Sequence, residues 1–280
     1  MKRTTMLVLL ALVAGLAAAQ ADNAWQQKFG FSLMLNEGYY SDNWAGEEKT
    51  SGSATASIDH AAQKQLARAL KFEHAIGLAF GQQVTDEDTL GWQWSKSEDK
   101  IRLDEVMRFT LGLWVDPYVS GALKSQFIDG RDTTVERYIH PVELLEAAGV
   151  GRTFFESEQR MLKSQVGAAA RQLFDELDTL GTVSDAGVTW STDFRTQLGT
   201  PDAGYSSKLV LYKPLVSFGS GHPVGTWPQL DWQHELGAKI GKFITAKAFV
   251  NLLYDEIVHD RLRLKQTLGL GLSYTWARGM

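Results

Sequence analysis

Several absences narrow the structural classes open to this sequence. Its 280 residues contain no cysteine, which excludes disulfide bonds and lipidation at a cysteine. The formal charge of −5 argues against a nucleic-acid partner, because phosphate neutralisation needs a basic surface. Beyond the first 21 residues no apolar run reaches the roughly 18 residues that a transmembrane helix needs. No Pro/Ser-rich linker marks a domain boundary. The chain must therefore be held by its core or its sheet, and any membrane-spanning elements must be strands.

The first 21 residues have the pattern of an export signal. MKRTTMLVLLALVAGLAAAQA begins with two bases, continues with an apolar run over 6–16, and ends with a small-x-small site at 19–21. This pattern predicts a secretory signal peptide over 1–21, cleaved after Ala21 or two residues earlier. We expect 22–280 to form one domain.

The rest of the chain alternates apolar and polar residues with a period of two. The clearest case is 264–276, where leucines and aromatics at even positions alternate with polar or small residues. Successive side chains of a strand point to opposite faces, so this pattern is typical of a strand with a lipid side and a lumen side. We predict about twelve strands, at 27–36, 50–60, 66–81, 101–115, 118–128, 142–154, 160–171, 187–198, 207–218, 230–240, 243–255 and 263–276. The fold class is an all-β, transmembrane, antiparallel up-and-down β-barrel.

Connection lengths and tryptophans favour this barrel over a soluble β-sandwich, whose strands also alternate. We predict tight periplasmic turns at 116–117 and 241–242, and long outer loops at 82–100 and 129–141. Several predicted strands exceed ten residues, whereas soluble strands average about 5–6. Most of the nine tryptophans fall near predicted strand ends, where amphipathic rings can lie among lipid headgroups. The sandwich remains open as the alternative.

The last strand also resembles a recognition signal. Thr267, Gly269, Leu272 and Tyr274 fit a polar-x-Gly-x-x-apolar-x-apolar pattern similar to the signal read by the barrel-assembly machinery. The chain continues to Met280 instead of ending at an aromatic residue, which makes the signal slightly internal. The resemblance implies that the assembly machinery is a partner.

A longer set of motifs resembles an uncharacterised family of bacterial outer-membrane β-barrels, a porin-like domain of unknown function. The resemblance spans about 28–276. It implies a Gram-negative outer-membrane location, with lipid and lipopolysaccharide as surroundings, and no particular activity. The departure is Ala45-Gly46-Glu47 in place of a double glycine after Trp44. The motifs are Asn43-Trp44, KSEDKIRLDE (96–105), DPYVSGALKSQF (116–127), YIHP (138–141), LDWQHELGAKIGKF (230–243), LLYDE (252–256) and LGLGLSY (268–274).

The candidate functional residues are charged residues on the polar face of each strand. We call the alternating positions that share one face a parity. A base facing hydrocarbon at the midplane costs about 2–4 kcal/mol, so these side chains should face the lumen. Basic residues are in excess among them, which predicts weak anion preference if a solute passes. The alternative is that they pair and fill the lumen. The ten principal candidates are Lys71, Glu73, Arg102, Asp104, Arg108, Lys124, Asp193, Arg195, Glu235 and Lys247; Gln126, Lys163, Gln165, Arg171, Lys239, Asn251 and Lys265 share their parity.

No catalytic, metal or cofactor motif is legible. His74 and His234 lie on the apolar parity, His259 lacks regular ligand spacing, and the acidic residues at 86–88 and 98–99 are interpreted as a solvated loop. We predict no cofactor, no metal site, no nucleic-acid partner and no enzymatic activity. Three functions remain, in decreasing order: a narrow pore for small solutes, a closed structural or partner-scaffolding barrel, and a lipid-modifying enzyme.

Overall fold

The computed structural model describes residues 25–38, 51–87, 91–131, 137–175, 182–218, 225, 227–256 and 259–278. The predicted signal peptide, the Asn43-Trp44 motif and the side chain of His259 lie outside the described residues. The described chain contains fourteen strands: β1 (Gln26–Gly38), β2 (Ser51–Ala67), β3 (Leu70–Glu87), β4 (Gly91–Phe109), β5 (Asp116–Ser125), β6 (Ile128–Asp129), β7 (Arg137–Tyr138), β8 (Val142–Glu156), β9 (Arg160–Phe174), β10 (Thr182–Leu198), β11 (Thr200–Phe218), β12 (Gln229–Ile240), β13 (Ile244–Asp255) and β14 (His259–Arg278).

Twelve of these strands form a closed antiparallel barrel. The order around the barrel is β1-β14-β13-β12-β11-β10-β9-β8-β5-β4-β3-β2, and β6 and β7 form a separate two-stranded hairpin. Strands β1 and β14 close the ring from Gln27↔Arg278 to Leu35↔Leu270. Closure leaves no unpaired sheet edge inside a membrane, where an unsatisfied backbone group is costly. The predicted twelve-stranded up-and-down barrel is confirmed.

The apolar side chains form the outer surface of the barrel. Phe31 and Leu35 of β1 and Leu268, Leu270 and Leu272 of β14 are all exposed. In a soluble sandwich the same residues would be packed in a core, whereas a transmembrane barrel presents them to lipid. The sandwich alternative is therefore wrong. Within the described residues, no helix has the length and hydropathy to cross a membrane.

Two predicted connections differ from the structure. The predicted long loop at 82–100 is mostly strand, because β3 continues to Glu87 and β4 starts at Gly91. The predicted turn at 116–117 is the start of β5, and the turn lies at 110–115, where Gly112 has a φ of 70°. A left-handed backbone favours glycine, so this residue allows the apolar segment around it to turn. The turn at 241–242 is confirmed, with Gly241 at a φ of 79°.

Small residues allow close approach of strands on one side of the barrel. A Cβ built on Gly149 would lie 2.1 Å from the backbone oxygen of Val166. A Cβ on Gly167 would lie 2.8 Å from the Tyr118 hydroxyl. These glycines therefore let the backbones of β8 and β9 lie close together and let Tyr118 of β5 pack against the inner face of the wall.

Candidate functional site: the lumen

The strand register places the ten principal candidates on the lumen side. Along β4 and β5, Leu103 lies opposite Leu123 on the apolar outer face, so Arg102 and Lys124, which also lie opposite each other, face inward. The same alternation applies to each strand that carries a candidate. The lumen-facing set is Lys71 and Glu73 (β3), Arg102, Asp104 and Arg108 (β4), Lys124 (β5), Asp193 and Arg195 (β10), Glu235 (β12) and Lys247 (β13). That a solute contacts them stays a prediction.

Among the described residues, three ion pairs join strands that lie at least four positions apart in the ring of twelve, and one of them pairs Lys265 of β14 with Glu98 of β4. Lys208 Nζ of β11 lies 3.4 Å from Asp104 Oδ2 of β4, although these strands are five positions apart in a ring of twelve. Lys163 Nζ of β9 lies 3.0 Å from Glu73 Oε1 of β3, four positions away. Side chains from nearly opposite walls therefore meet inside the barrel, and the lumen is narrower where they meet.

One side of the lumen is filled by a polar network. Arg171 donates from Nε to Asp185 Oδ2 at 3.1 Å and from Nη1 to Gln229 Oε1 at 2.9 Å. The Tyr212 hydroxyl donates to Asp185. Arg171 and Asp185 are only 7% and 5% exposed, although the alternation of β9 and β10 directs both inward. The lumen next to β9, β10 and β11 is thus occupied by protein.

Arg108 and Tyr118 extend this filled wall toward β4 and β5. They lie opposite each other and are 4% and 2% exposed. Arg108 Nη2 donates to Gln165 Oε1 at 3.3 Å and lies 3.8 Å from Glu73 Oε2. Its Nε and Nη1 atoms have no hydrogen-bond partner among the described residues. Arg108 is therefore a packed side chain and is not displayed to the lumen.

The opposite side of the lumen is open. Lys28 of β1, Lys239 of β12, and Thr267 and Thr275 of β14 have inward parity and are solvent-exposed. Arg195, near the end of β10, is also exposed, and its Nη2 contacts Met161 Sδ at 3.2 Å. A side chain that points into a barrel can be exposed only if solvent reaches it there. The lumen is therefore eccentric. Its filled wall runs from β4 to β11, with Arg195 at the turn end of β10 as an exposed exception, and its more open wall runs from β12 to β1, where Lys265 of β14 pairs across the lumen with Glu98.

Sequence reasoning found the lumen face but not its pairing. Most of the predicted bases lie beside carboxylates: Arg102 with Asp104, Lys124 with Glu143, and Lys247 with Glu235. The candidate list omitted Lys28, Lys208 and Asp185. Each follows from the parity of its strand, and Asp185 lies before the predicted start of β10 at 187.

The two histidines on the apolar parity lie on the outer face. His74 Nδ1 is 2.5 Å from Glu105 Oε1 on the neighbouring strand, and the Tyr205 hydroxyl is 2.7 Å from His234 Nδ1. A polar partner reduces the cost of placing an imidazole among apolar residues. Among the described residues, no group of His, Asp or Glu has the arrangement of a metal site.

The acidic residues at 98–99 are paired with protein groups. Glu98 contacts Lys265 of β14. Asp99 accepts hydrogen bonds from the backbone N–H groups of Phe127 at 2.5 Å and Ile128 at 3.0 Å, and from Lys96 Nζ at 2.9 Å. The interpretation of 98–99 as a solvated acidic loop is wrong, because these carboxylates connect β4 to the β5–β6 segment and to β14.

The β6–β7 hairpin outside the barrel is fixed by a charged cluster. Asp129 has a fully buried side chain and accepts from Arg131 Nη2 at 2.7 Å, and His140 Nδ1 is 3.0 Å away. Arg131 Nη1 also donates to Asp175 at 2.7 Å. Hydrogen bonds from Arg131 hold the pKa of the Asp129 carboxyl well below its usual value. Gln126, predicted in the lumen, instead lies beyond β5 and donates to the His140 carbonyl.

The residues of the predicted assembly signal lie in the closing strand β14. Leu272 and Tyr274 are on the outer face, and Thr267 and Gly269 are on the inner face. A Cβ on Gly269 would lie 2.9 Å from Met34 Cε of β1. The glycine therefore allows close contact at the seam that closes the barrel. Recognition by the assembly machinery stays a prediction.

Known proteins similar to this chain are one uncharacterised family and several solved outer-membrane structures. Residues 35–130 match a family model described as "Protein of unknown function (DUF3078)", which confirms over that range the resemblance to an uncharacterised family. No curated protein matches the chain. A similar solved structure is the COG4313 outer membrane channel from Pseudomonas putida F1, with 12% identity, a TM-score of 0.47, and coverage of 94% of this chain and 98% of that one. Another is the translocator domain of the autotransporter NalP from Neisseria meningitidis, with 9% identity, a TM-score of 0.38, and coverage of 96% and 94%.

Proposed function

We propose that this protein is an outer-membrane channel that passes small polar solutes along the open side of its lumen. The observation that carries the proposal is the exposure of inward-facing Thr267 in the middle of β14, together with that of Lys28, Lys239 and Thr275 nearer the strand ends. Solvent reaches these side chains although they point into the barrel. The cross-lumen ion pair of Asp104 and Lys208 limits the path to solutes of small diameter.

The path can be tested by single-cysteine labelling, because the native chain contains no cysteine. Thr275→Cys places a thiol on the open wall. Thr189→Cys places one on the filled wall, where the native threonine is 7% exposed and donates to the Leu211 carbonyl. The two variants make the same chemical change at two inward positions. Each is reconstituted in a planar bilayer, and a charged methanethiosulfonate reagent is added from either side.

The proposal predicts discrete conductance steps in the native protein and a lower step size after labelling of Thr275→Cys. Thr189→Cys should keep its native step size. Native protein without conductance steps in repeated bilayer insertions would remove the proposal. Equal labelling effects at both positions would show that the open path has been placed on the wrong side.

The closed-lumen scaffold is the second candidate, and the cross-lumen pairs of Glu73 with Lys163 and of Asp104 with Lys208 are the observation in its favour. The same recording separates the two. A scaffold gives no steps, and neither Lys163→Ala nor Lys208→Ala produces any. A channel whose constriction is formed by these pairs gives larger steps when either lysine is removed.

The location and partners form part of the proposal. An apolar outer belt on a closed barrel favours insertion into an outer membrane, with lipid and lipopolysaccharide as the surroundings and a signal peptide over 1–21 for export. Assembly through the signal at 267–274 is tested with Tyr274→Ala. We expect less heat-modifiable barrel in the membrane fraction with this variant. Trp276→Ala is the control, because Trp276 is an aromatic residue of the same strand that lies outside the signal at 267–274.

A further inference from the structure

An unneutralised group of bases lies at one end of the open path. Lys28 is near the start of β1, Arg195 is three residues from the end of β10, and Lys239 is next to the last residue of β12. These strand ends belong to the end of the barrel that carries the short turns, such as 241–243. Lys247 of β13 faces the same region, opposite Gly237. We call Lys28, Arg195, Lys239 and Lys247 the mouth cluster.

Three members of the mouth cluster lie near the fourth, Lys28. Arg195, Lys239 and Lys247 lie close enough to Lys28 to interact with it electrostatically. Their strands occupy positions from β1 to β10 around the ring, so the four bases border the open part of the lumen from several sides. Three of them are solvent-exposed, so an incoming solute can reach them.

Nearby carboxylates neutralise only part of this charge. Glu235 lies 3.3 Å from Lys247 and forms an ion pair with it. Asp59, on β2, interacts with Lys28 and Lys247 but makes no ion pair within the described residues. Lys28, Arg195 and Lys239 likewise have no carboxylate within ion-pair distance in the described part of the chain. Asp202, exposed on the inward face at the start of β11, is a third acid at this end. Four bases face three acids, which leaves an excess of one positive charge at the mouth.

We propose that the mouth cluster is a binding site for small oxyanions, such as phosphate or a carboxylate, at the periplasmic entrance of the channel. The inference rests on the proposed channel function and adds the class of solute. Bases spaced around a solvated opening raise the local anion concentration and bind oxyanions through charge-assisted hydrogen bonds. The sequence also predicted a weak anion preference, but it assigned that preference to bases along the whole lumen. Of the bases that predicted it, only Arg195 and Lys247 belong to the cluster.

The test measures ion selectivity and block in planar bilayers. The reversal potential under a potassium chloride gradient gives the anion-to-cation permeability ratio, and inorganic phosphate added on the periplasmic side probes the site. Lys28→Gln and Lys239→Gln each remove one charge. Lys242→Gln is the matched control, because Lys242 is exposed in the 241–243 turn, outside the lumen wall.

The native channel should prefer chloride, and phosphate should reduce its chloride current. Each mouth substitution should lower the permeability ratio about twofold. One charge about 8 Å from the path acts with opposite sign on anion and cation, and salt with a Debye length of about 10 Å screens it by roughly half. The same substitutions should weaken phosphate block, and Lys242→Gln should have a smaller effect on both quantities.

The outcomes separate the two proposals. A native protein without conductance removes the channel function itself. A conducting protein that prefers potassium, or whose selectivity and phosphate block are unchanged in Lys28→Gln and Lys239→Gln, overturns the mouth cluster and leaves the channel intact. Equal effects of Lys242→Gln would assign the preference to general surface charge and would also overturn the site.

Discussion

Removal of Arg171 should strongly destabilise the barrel. Its guanidinium is 7% exposed and makes three hydrogen bonds, two to Asp185 at 3.1 and 2.5 Å and one to Gln229 at 2.9 Å. In Arg171→Ala, Asp185 would remain buried, and within the described part of the chain its remaining side-chain partner would be the Tyr212 hydroxyl. Breaking a buried ion pair by removing one member costs about 3–5 kcal/mol, because the other charge is left uncompensated. We expect a loss of that size in the free energy of unfolding.

The measurement is a urea titration of the purified barrel in lipid vesicles, followed by tryptophan fluorescence. Lys124→Ala is the matched control, because its ion pair with Glu143 spans 3.2 Å between side chains that are 37% and 25% exposed. Exposed pairs contribute about 0–1 kcal/mol, so the control should unfold almost as the native protein does. If Arg171→Ala lost no more stability than Lys124→Ala, the filled wall would not be a stabilising network.

Three further predictions test the packing, the hairpin and the outer face. Gly149→Ala should lower the free energy of unfolding by about 1–3 kcal/mol, whereas Gly121→Ala, where a Cβ meets nothing within 4 Å, should have little effect in the same titration. The pKa of Asp129 is lowered in the folded protein, so its contribution is present above the usual carboxyl pKa and lost as the pH falls below it. Protease cleavage of the hairpin should therefore increase on acidification below about pH 4, and Asp129→Asn should be cleaved readily at neutral pH. His74→Phe should destabilise the barrel, because it leaves Glu105 unpaired on the outer face. The double variant with Glu105→Leu should be at least as stable as the native protein in vesicle unfolding, with a gain of up to about 1–4 kcal/mol.

The sequence predicted the barrel because local alternation records which face of each strand meets lipid. The alternation over 264–276 placed β14 correctly, and the tolerance of a single Glu or Pro in a long strand explains why β8 and β11 were found despite Glu146 and Pro214. The turn at 110–115 was missed because its residues are apolar. Leu113 and Trp114 are exposed there. Apolar composition alone does not distinguish the end of a spanning strand from an apolar turn beyond it.

The extent of the outer hairpins was also beyond local reasoning. Residues 82–100 are rich in polar and acidic side chains, which indicates solvent contact but not the loss of strand pairing. Strands β3 and β4 stay paired from Leu70↔Phe109 to Glu87↔Gly91, with one irregularity between Gly81 and Gln82. A hairpin can continue above the membrane with polar residues on both faces, because water then solvates both sides of the sheet.

The distribution of charge inside the lumen depends on distances that no sequence pattern encodes. Parity shows that Arg102, Arg108, Lys124, Arg195 and Lys247 face inward, and a count of inward bases then predicts a general anion preference. Ion pairing changes that conclusion. Carboxylates lie beside Arg102, Lys124 and Lys247, and Arg108 is packed inside the filled wall. Which base meets which acid is set by strand order, stagger and barrel diameter together. A charge that lies next to its counter-ion hardly alters the potential along the path, so selectivity must depend on the few bases that the geometry leaves exposed and unneutralised.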